Sequence, residues 1–285
     1  MKANRIFTYI VTGARDHLRD HALSDGPQKW KKARNRCSTS VLTCLKIDTV
    51  SCRALMVFVC VLALTNPVLA VNFNRSTGDA LFEDDDGLTL PYRLFKPKSY
   101  CGDAAPLFRP KDCDPDHPFP LVLFLHGRGE RGSDNKLQAI GGGHMENLYQ
   151  ATQGLTFEGE FEAFLLAPQC PTSDRWVHWD TESSNGSFND AEEPPLSQSL
   201  HLVFSLLDEV IENYPIDTSR IYVTGLSMGG YATWDAIRRR PHFFAAAMPL
   251  SGGGNRDQGP LLKDIPIWAY HGINDPLVPV SGTDA

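Results

Sequence analysis

From Leu121 onward, apolar residues gather in short runs bounded by Gly or Pro: Leu121–Leu125 (LVLFL), Phe164–Ala167 (FLLA), Ile221–Thr224 (IYVT), Ala245–Leu250 (AAAMPL) and Ile265–Tyr270 (IPIWAY). Runs that are apolar throughout, instead of alternating, predict strands buried on both faces of a parallel sheet. Between them the spacing changes. Leu196, Leu200, Val203, Phe204, Leu207, Ile211 and Tyr214 recur at three- and four-residue steps, which predicts an amphipathic helix stopped by Pro215. A second helix is predicted from Met228 to Arg240, ahead of Pro241. Strands alternating with helices predict right-handed βαβ units and hence an α/β fold, a mostly parallel sheet with helices on both faces. Leu88–Phe95 (LTLPYRLF) alternates, and its proline suits an edge strand. The stretch from Cys170 to Pro195 has no period and is rich in Asp, Glu, Ser and Asn, so it reads as a long surface loop, a length that is uncommon unless the loop has a function.

With 285 residues, 42 % of them hydrophobic and 21 % charged, the chain has the material for one sizeable core, which excludes disorder and collagen. The charge is uneven. Residues 1–53 hold 11 Lys/Arg against 4 Asp/Glu, leaving 16 against 30 for the remainder, a net −14 that is a poor match for nucleic acid, so no nucleic-acid partner is expected. Next, Arg53 precedes the uncharged run Ala54–Leu64 (ALMVFVCVLAL), and Pro67 and Ala70 supply a helix breaker and small-residue cleavage geometry. Residues 54–70 are therefore expected to be a secretory signal peptide, because the run is shorter than the about 17 to 25 residues a membrane span needs. The alternative is a buried helix or short anchor. Residues 1–53 are expected to be a disordered or untranslated basic extension, with initiation near Val50, and residues 71–285 to form a single domain of an exported protein.

Cys37, Cys44, Cys52 and Cys60 lie ahead of the expected cleavage, leaving Cys101, Cys113 and Cys170. Their spacing fits no zinc site, and no metal or organic cofactor is expected. In an exported chain Cys101 can pair with Cys113; in a reducing compartment all three remain thiols.

Ile221–Gly229 (IYVTGLSMG) places Gly225, Ser227 and Gly229 in a G-x-S-x-G pattern between a predicted strand and a predicted helix, the context of a nucleophile elbow. The chemistry requires that composition. A serine on a sharp strand-to-helix turn needs neighbours without bulk two residues to either side, and the helix that starts at Met228 aims its amides at a developing oxyanion. Leu121–Gly132 (LVLFLHGRGERG) ends a buried strand in a glycine-rich turn that can offer a second amide, from Arg128 or alternatively Gly129. Arg128, Glu130 and Arg131 read as an ion-pair network that holds this turn, and His126 as a core histidine bound by backbone groups. Asp275, in AYHGINDPLVP, lies past the predicted strand Ile265–Tyr270, where a carboxylate can orient an imidazole; a turn-forming Asp before Pro is the plainer reading. His271 is expected to cap that strand. Trp176 and Trp179 are candidate substrate-binding rings if they overhang the site, and packing residues if they do not.

The motifs PYRLFKP, PLVLFLHGRGERGSDN, APQCP, RWVHW, SRIYVTGLSMGGYATW and HGINDPLVP, spread from about Leu88 to Val280, resemble the bacterial α/β-hydrolase group of phospholipase/carboxylesterase, dienelactone-hydrolase-like and predicted-peptidase proteins. The resemblance implies an α/β-hydrolase fold and ester hydrolysis through an acyl-enzyme. Ser227 would be the nucleophile and Asp275 the acid, with the Met228 amide and the Arg128 region as the oxyanion hole. In this fold the catalytic histidine follows the acid, yet none of the nine histidines follows Asp275, and the sequence stops ten residues later. A C-terminally incomplete domain and a histidine recruited from elsewhere, such as His144 or His178, are the two explanations. Three functions remain open: a serine esterase acting on a small-molecule or carbohydrate-linked ester, a peptidase of the prolyl-oligopeptidase type, and a hydrolase-fold binding protein that has lost catalysis.

Overall fold

Seven consecutive buried residues, Phe119–Leu125 (β3), form the axis of the sheet. The computed structural model describes residues 78, 80–140, 144–154, 161–178 and 195–283; the basic extension, the expected signal peptide and Trp179 lie outside them. Three further strands run parallel to β3: Phe164–Pro168 (β4), Ile216–Leu226 (β5) and Ala246–Leu250 (β6). Two more, Ala80–Glu83 (β1) and Thr89–Phe95 (β2), join antiparallel, in the order β1-β2-β4-β3-β5-β6. The sheet is mostly parallel, as its unbroken apolar runs require.

Alternate residues of β3 feed two cores. Leu121, Leu123 and Leu125 pack with helix Gln198–Asn213 and helix Met228–Arg239 on one face. Val122 and Phe124 pack on the other face against Ala139, Met145 and Tyr149, which belong to the short helices Leu137–Ile140 (α1) and His144–Thr152 (α2). We call the two long helices α3 and α4. Ser197 starts α3 by accepting the Leu200 N–H at 3.0 Å, and Pro215 prevents its continuation after Tyr214. Among the described residues no helix is long and apolar enough to cross a membrane.

Two expectations need correction. The Leu88–Phe95 segment is not an edge: β1 covers its outer side, with Leu81 opposite Pro91, while the Pro91 carbonyl on the inner side accepts the Gln169 N–H at 2.7 Å. The four-residue β1 is too short to carry a periodic signal. Ile265–Tyr270 makes only isolated parallel bridges to β6, Ala247 with Ile267 and Leu250 with Tyr270; between them Pro249 of β6 has no amide hydrogen to give the ladder. It still directs the chain along the sheet to the carboxyl ends of the strands.

Candidate active site

β5 and α4 are joined by Ser227 alone, and the backbone there leaves the ordinary regions: φ is 54° and ψ −113°. Such a conformation costs about 1–3 kcal/mol in a non-glycine residue. Burial of Met228, Tyr231 and Ile237 in α4 offsets it, since each large apolar side chain contributes about 1.5–3 kcal/mol. The glycines are needed for space. A Cβ on Gly229 would stand 1.7 Å from the Leu125 carbonyl oxygen, and one on Gly225 would stand 2.4 Å from the Gly229 oxygen. Gly230 and Gly252 form a second close crossing, where a Cβ on Gly252 would lie 2.3 Å from the Gly230 carbonyl carbon. The Ser227 N–H donates to Leu250 O at 2.9 Å, which ties the turn to the end of β6.

Met228 is the first residue of α4, where an amide has no carbonyl one turn back, and no acidic residue occupies that turn. Its N–H therefore adds to the positive end of the helix beside Ser227. From the other side comes Gly127, on which a Cβ would lie 3.9 Å from the Ser227 Cβ. The next residue, Arg128, opens a single 3-10 turn, Arg128–Glu130, so the glycine-rich loop sits against the elbow. Among the described residues no ion pair joins Arg128, Glu130 and Arg131, which corrects that expectation. Arg131 holds the turn by donating to carbonyl oxygens, those of Arg128 at 3.3 Å, Thr172 at 3.2 Å and Asp174 at 3.0 Å.

Asp275 reaches the same rim. The Ser251 side chain is near enough to its carboxylate to help lower its pKa, and Ser251 follows Leu250, the residue that accepts the Ser227 N–H. Burial pushes the Asp275 carboxyl up, but the Val278 and Leu277 amides, with His271 nearby, hold it below the usual carboxylate value. Both amides donate to Oδ1, at 3.0 and 2.9 Å. Tyr231, one turn into α4 from Ser227, is raised above the ordinary phenol value by burial first and then by the Asp275 charge.

Three of the described histidines, His126, His271 and His178, are held by other partners. His126 is 1 % exposed, and burial pushes it down to about 4. His271 donates from Nε2 to Val278 O at 2.8 Å, with Nδ1 2.6 Å from Thr283 Oγ1 and Asp275 Oδ2 3.6 Å away. The ring thus braces the loop that carries Asp275. His178 pairs with Asp174 at 2.9 Å. Trp176 is fully buried, with Nε1 donating to His126 O at 3.0 Å and its ring edge-on to the His126 imidazole at 5.1 Å. It is a packing residue beneath the glycine-rich loop and presents no face to substrate. The sequence reading also missed Asn135 and Gln169, both buried and both bonded to that loop. Their only signal was their presence in the motifs RGSDN and APQCP.

A solved thermostable esterase is 39 % identical, with a TM-score of 0.58, over 74 % of this chain and 50 % of its own. The chain shares the α/β-hydrolase fold of that esterase. The prolyl oligopeptidase family model matches residues 200–257 of this chain, a stretch that contains the elbow. A probable feruloyl esterase C of Aspergillus niger is 27 % identical over 61 % of this chain and 55 % of its own length. Poly(3-hydroxyalkanoate) depolymerase C of Paucimonas lemoignei is 36 % identical over 47 % of this chain and 28 % of its own. The chain spans about half the length of the feruloyl esterase and of the thermostable esterase, and less of the depolymerase.

Proposed function

We propose that the protein is a serine hydrolase that cleaves carboxylic esters through an acyl-enzyme. The observation that carries this reading is Ser227 at φ 54° on a strand-to-helix turn, with the first amide of α4 beside it. Ser227 Oγ attacks the ester carbonyl, and the Met228 and Arg128 amides stabilise the oxyanion. Asp275 holds and charge-balances an imidazole; the adduct collapses with loss of the alcohol to leave an acyl-Ser227, and water then releases the acid. The base for the Ser227 proton is the one group that the described residues do not set beside it. Small-molecule and polymer-linked esters are the substrate class, consistent with relatives named as esterases and a polyester depolymerase. Export of the mature domain accords with the Cys101–Cys113 disulfide, a bond that persists in oxidising compartments.

Fluorophosphonate labelling of the purified chain, with Ser227→Ala as control, tests the nucleophile. Labelling that depends on Ser227 is expected; its absence would leave a binding protein on a hydrolase fold. Methyl ferulate, 4-nitrophenyl acetate and a proline-containing peptide amide, compared in parallel, separate esterase from peptidase. Cleavage of both esters and not the amide is the expected result.

A further inference from the structure

Arg128 sits in a segment, Gly127 to Asn135, whose only regular structure is one 3-10 turn, so its shape depends on what it is tied to. Both the turn and the far end of the segment meet a single side chain. Gln169, the first residue past β4 and fully buried, donates from Nε2 to Glu130 O at 3.1 Å and to Asp134 Oδ1 at 2.8 Å. Its Oε1 accepts the Asn135 N–H at 2.7 Å. Both amide hydrogens and the carbonyl are thus engaged. The Gln169 main chain is itself anchored, its N–H donating to Pro91 O at 2.7 Å. Gly132 lies close against it, for a Cβ there would stand 3.0 Å from Gln169 Nε2.

Asn135 continues the tie into the antiparallel strands. It adopts φ 52°, a conformation asparagine tolerates better than most residues, and its Nδ2 donates to Ala80 O at 3.0 Å and Tyr92 O at 2.8 Å. Ala80 and Tyr92 are partners in the β1–β2 ladder, and the Asn135 carbonyl accepts Arg93 Nε at 2.5 Å. The Arg128 amide lies between the end of β3 at Leu125 and the held Glu130 carbonyl, so it has few ways to move.

We propose that Gln169 is a positioning residue that sets the Arg128 amide for oxyanion binding, by clipping the glycine-rich loop to β4 and, through Asn135, to the β1–β2 pair. The inference rests on the serine-hydrolase reading. Gln169 acts through the loop and not on substrate. The side chain must be an amide. A carboxylate of the same shape would face Asp134 and the Glu130 carbonyl with no hydrogen to donate.

The test is Gln169→Glu in the full chain, with 4-nitrophenyl acetate as substrate and Ser227→Ala in parallel. Complete loss of an oxyanion donor costs about 10²–10³ in kcat, and a displaced one is expected to cost about tenfold. KM is expected to change by less than about twofold, because the interaction belongs to the transition state. The deficit relative to wild type should shrink as pH falls, since the introduced carboxyl regains a donor when protonated. Hydrogen exchange across residues 127–135 should rise by about fivefold or more, with α4 and β5 retaining wild-type rates. A hydrolytic wild type beside an equally active Gln169→Glu overturns this inference alone, as does a pH-independent deficit with exchange raised throughout. A wild type without Ser227-dependent hydrolysis overturns the serine reading and this inference together.

Discussion

The main-chain N–H of Cys170 donates to Nε2 of His126 over 3.0 Å, so that nitrogen is an acceptor and the ring hydrogen stands on Nδ1, which donates to Gly127 O at 2.6 Å. The imidazole is therefore neutral, and burial depresses it to about 4, outweighing the opposing effect of the Gly127 bond. An unfolded histidine titrates near 6.5, roughly. Below that pH the unfolded chain binds a proton that the folded chain refuses, so stability is full above about pH 6.5 and is lost as pH falls toward 4, by on the order of 3 kcal/mol. Urea unfolding at pH 7.5 and pH 4.5 checks this. The wild type should lose more stability than His126→Gln, whose side-chain carbonyl can still accept the Cys170 amide. Equal losses would remove His126 as the cause.

Strain at Ser227 sets function against stability. Ser227→Gly relaxes a φ of 54° that Ser227→Ala retains, so the glycine variant should be more stable than the alanine variant by about 1 kcal/mol. Both should lack hydrolysis. Denaturant midpoints that coincide for the two variants would show that the turn carries no strain.

The glycines of the site are not equivalent. Gly229→Ala would drive a Cβ to 1.7 Å from the Leu125 carbonyl oxygen, whereas Gly129→Ala meets nothing within 4 Å. The first should fail to fold or lose more than about 4 kcal/mol, and the second should stay within about 0.5 kcal/mol of wild type. Soluble yield and thermal unfolding measure the contrast, and a stable Gly229→Ala would contradict the close packing of β3 on α4.

Asp275 is burdened by burial, but the Val278 and Leu277 amides keep its carboxyl below the ordinary value, so it stays ionised at every pH above that value. Its contribution to stability is present above the unfolded carboxylate pKa, about 3.9, and is lost only as pH falls further. An acid limb of kcat between pH 5 and 7 should therefore belong to an imidazole. Asp275→Asn should lower kcat by about 10⁴ with the fold intact. A reduction of less than tenfold, or thereabouts, would deny Asp275 the role of triad acid.

The disulfide Cys101–Cys113 closes the loop between β2 and β3, at the amino end of β3 and thus opposite Ser227. Replacing both residues by serine should destabilise the domain by about 3 kcal/mol and leave kcat unchanged. Cys170 is buried, and its thiol is pushed up to about 12, chiefly by desolvation. Peptide-mapped alkylation should therefore leave Cys170 unmodified until denaturant is added, and labelling in the native state would show that the elements around it open.

The elbow was legible because its requirements are local. A strand, a turn that admits no side chain two residues to either side, and a helix start all fall within Ile221–Gly230. The α3 helix was legible for the same reason, from its spacing and the proline that follows. Trp176 shows the opposite case. An aromatic residue in a polar stretch looks like an exposed ring, and only the approach of β3 and α3 makes it a buried donor to His126.

Composition and periodicity alone determined that this chain builds a parallel α/β sheet and presents Ser227 on a tight turn, since both follow from contacts between near neighbours. The tertiary structure alone decided which nitrogen of His126 carries its hydrogen, that β1 covers β2, and that Gln169 clips the glycine-rich loop. Those partners lie 34 to 44 residues apart for Gln169–Asn135 and Cys170–His126, and strand order brings them together. A hydrogen bond across a sheet depends on which strands become neighbours, and no local pattern along the chain specifies that.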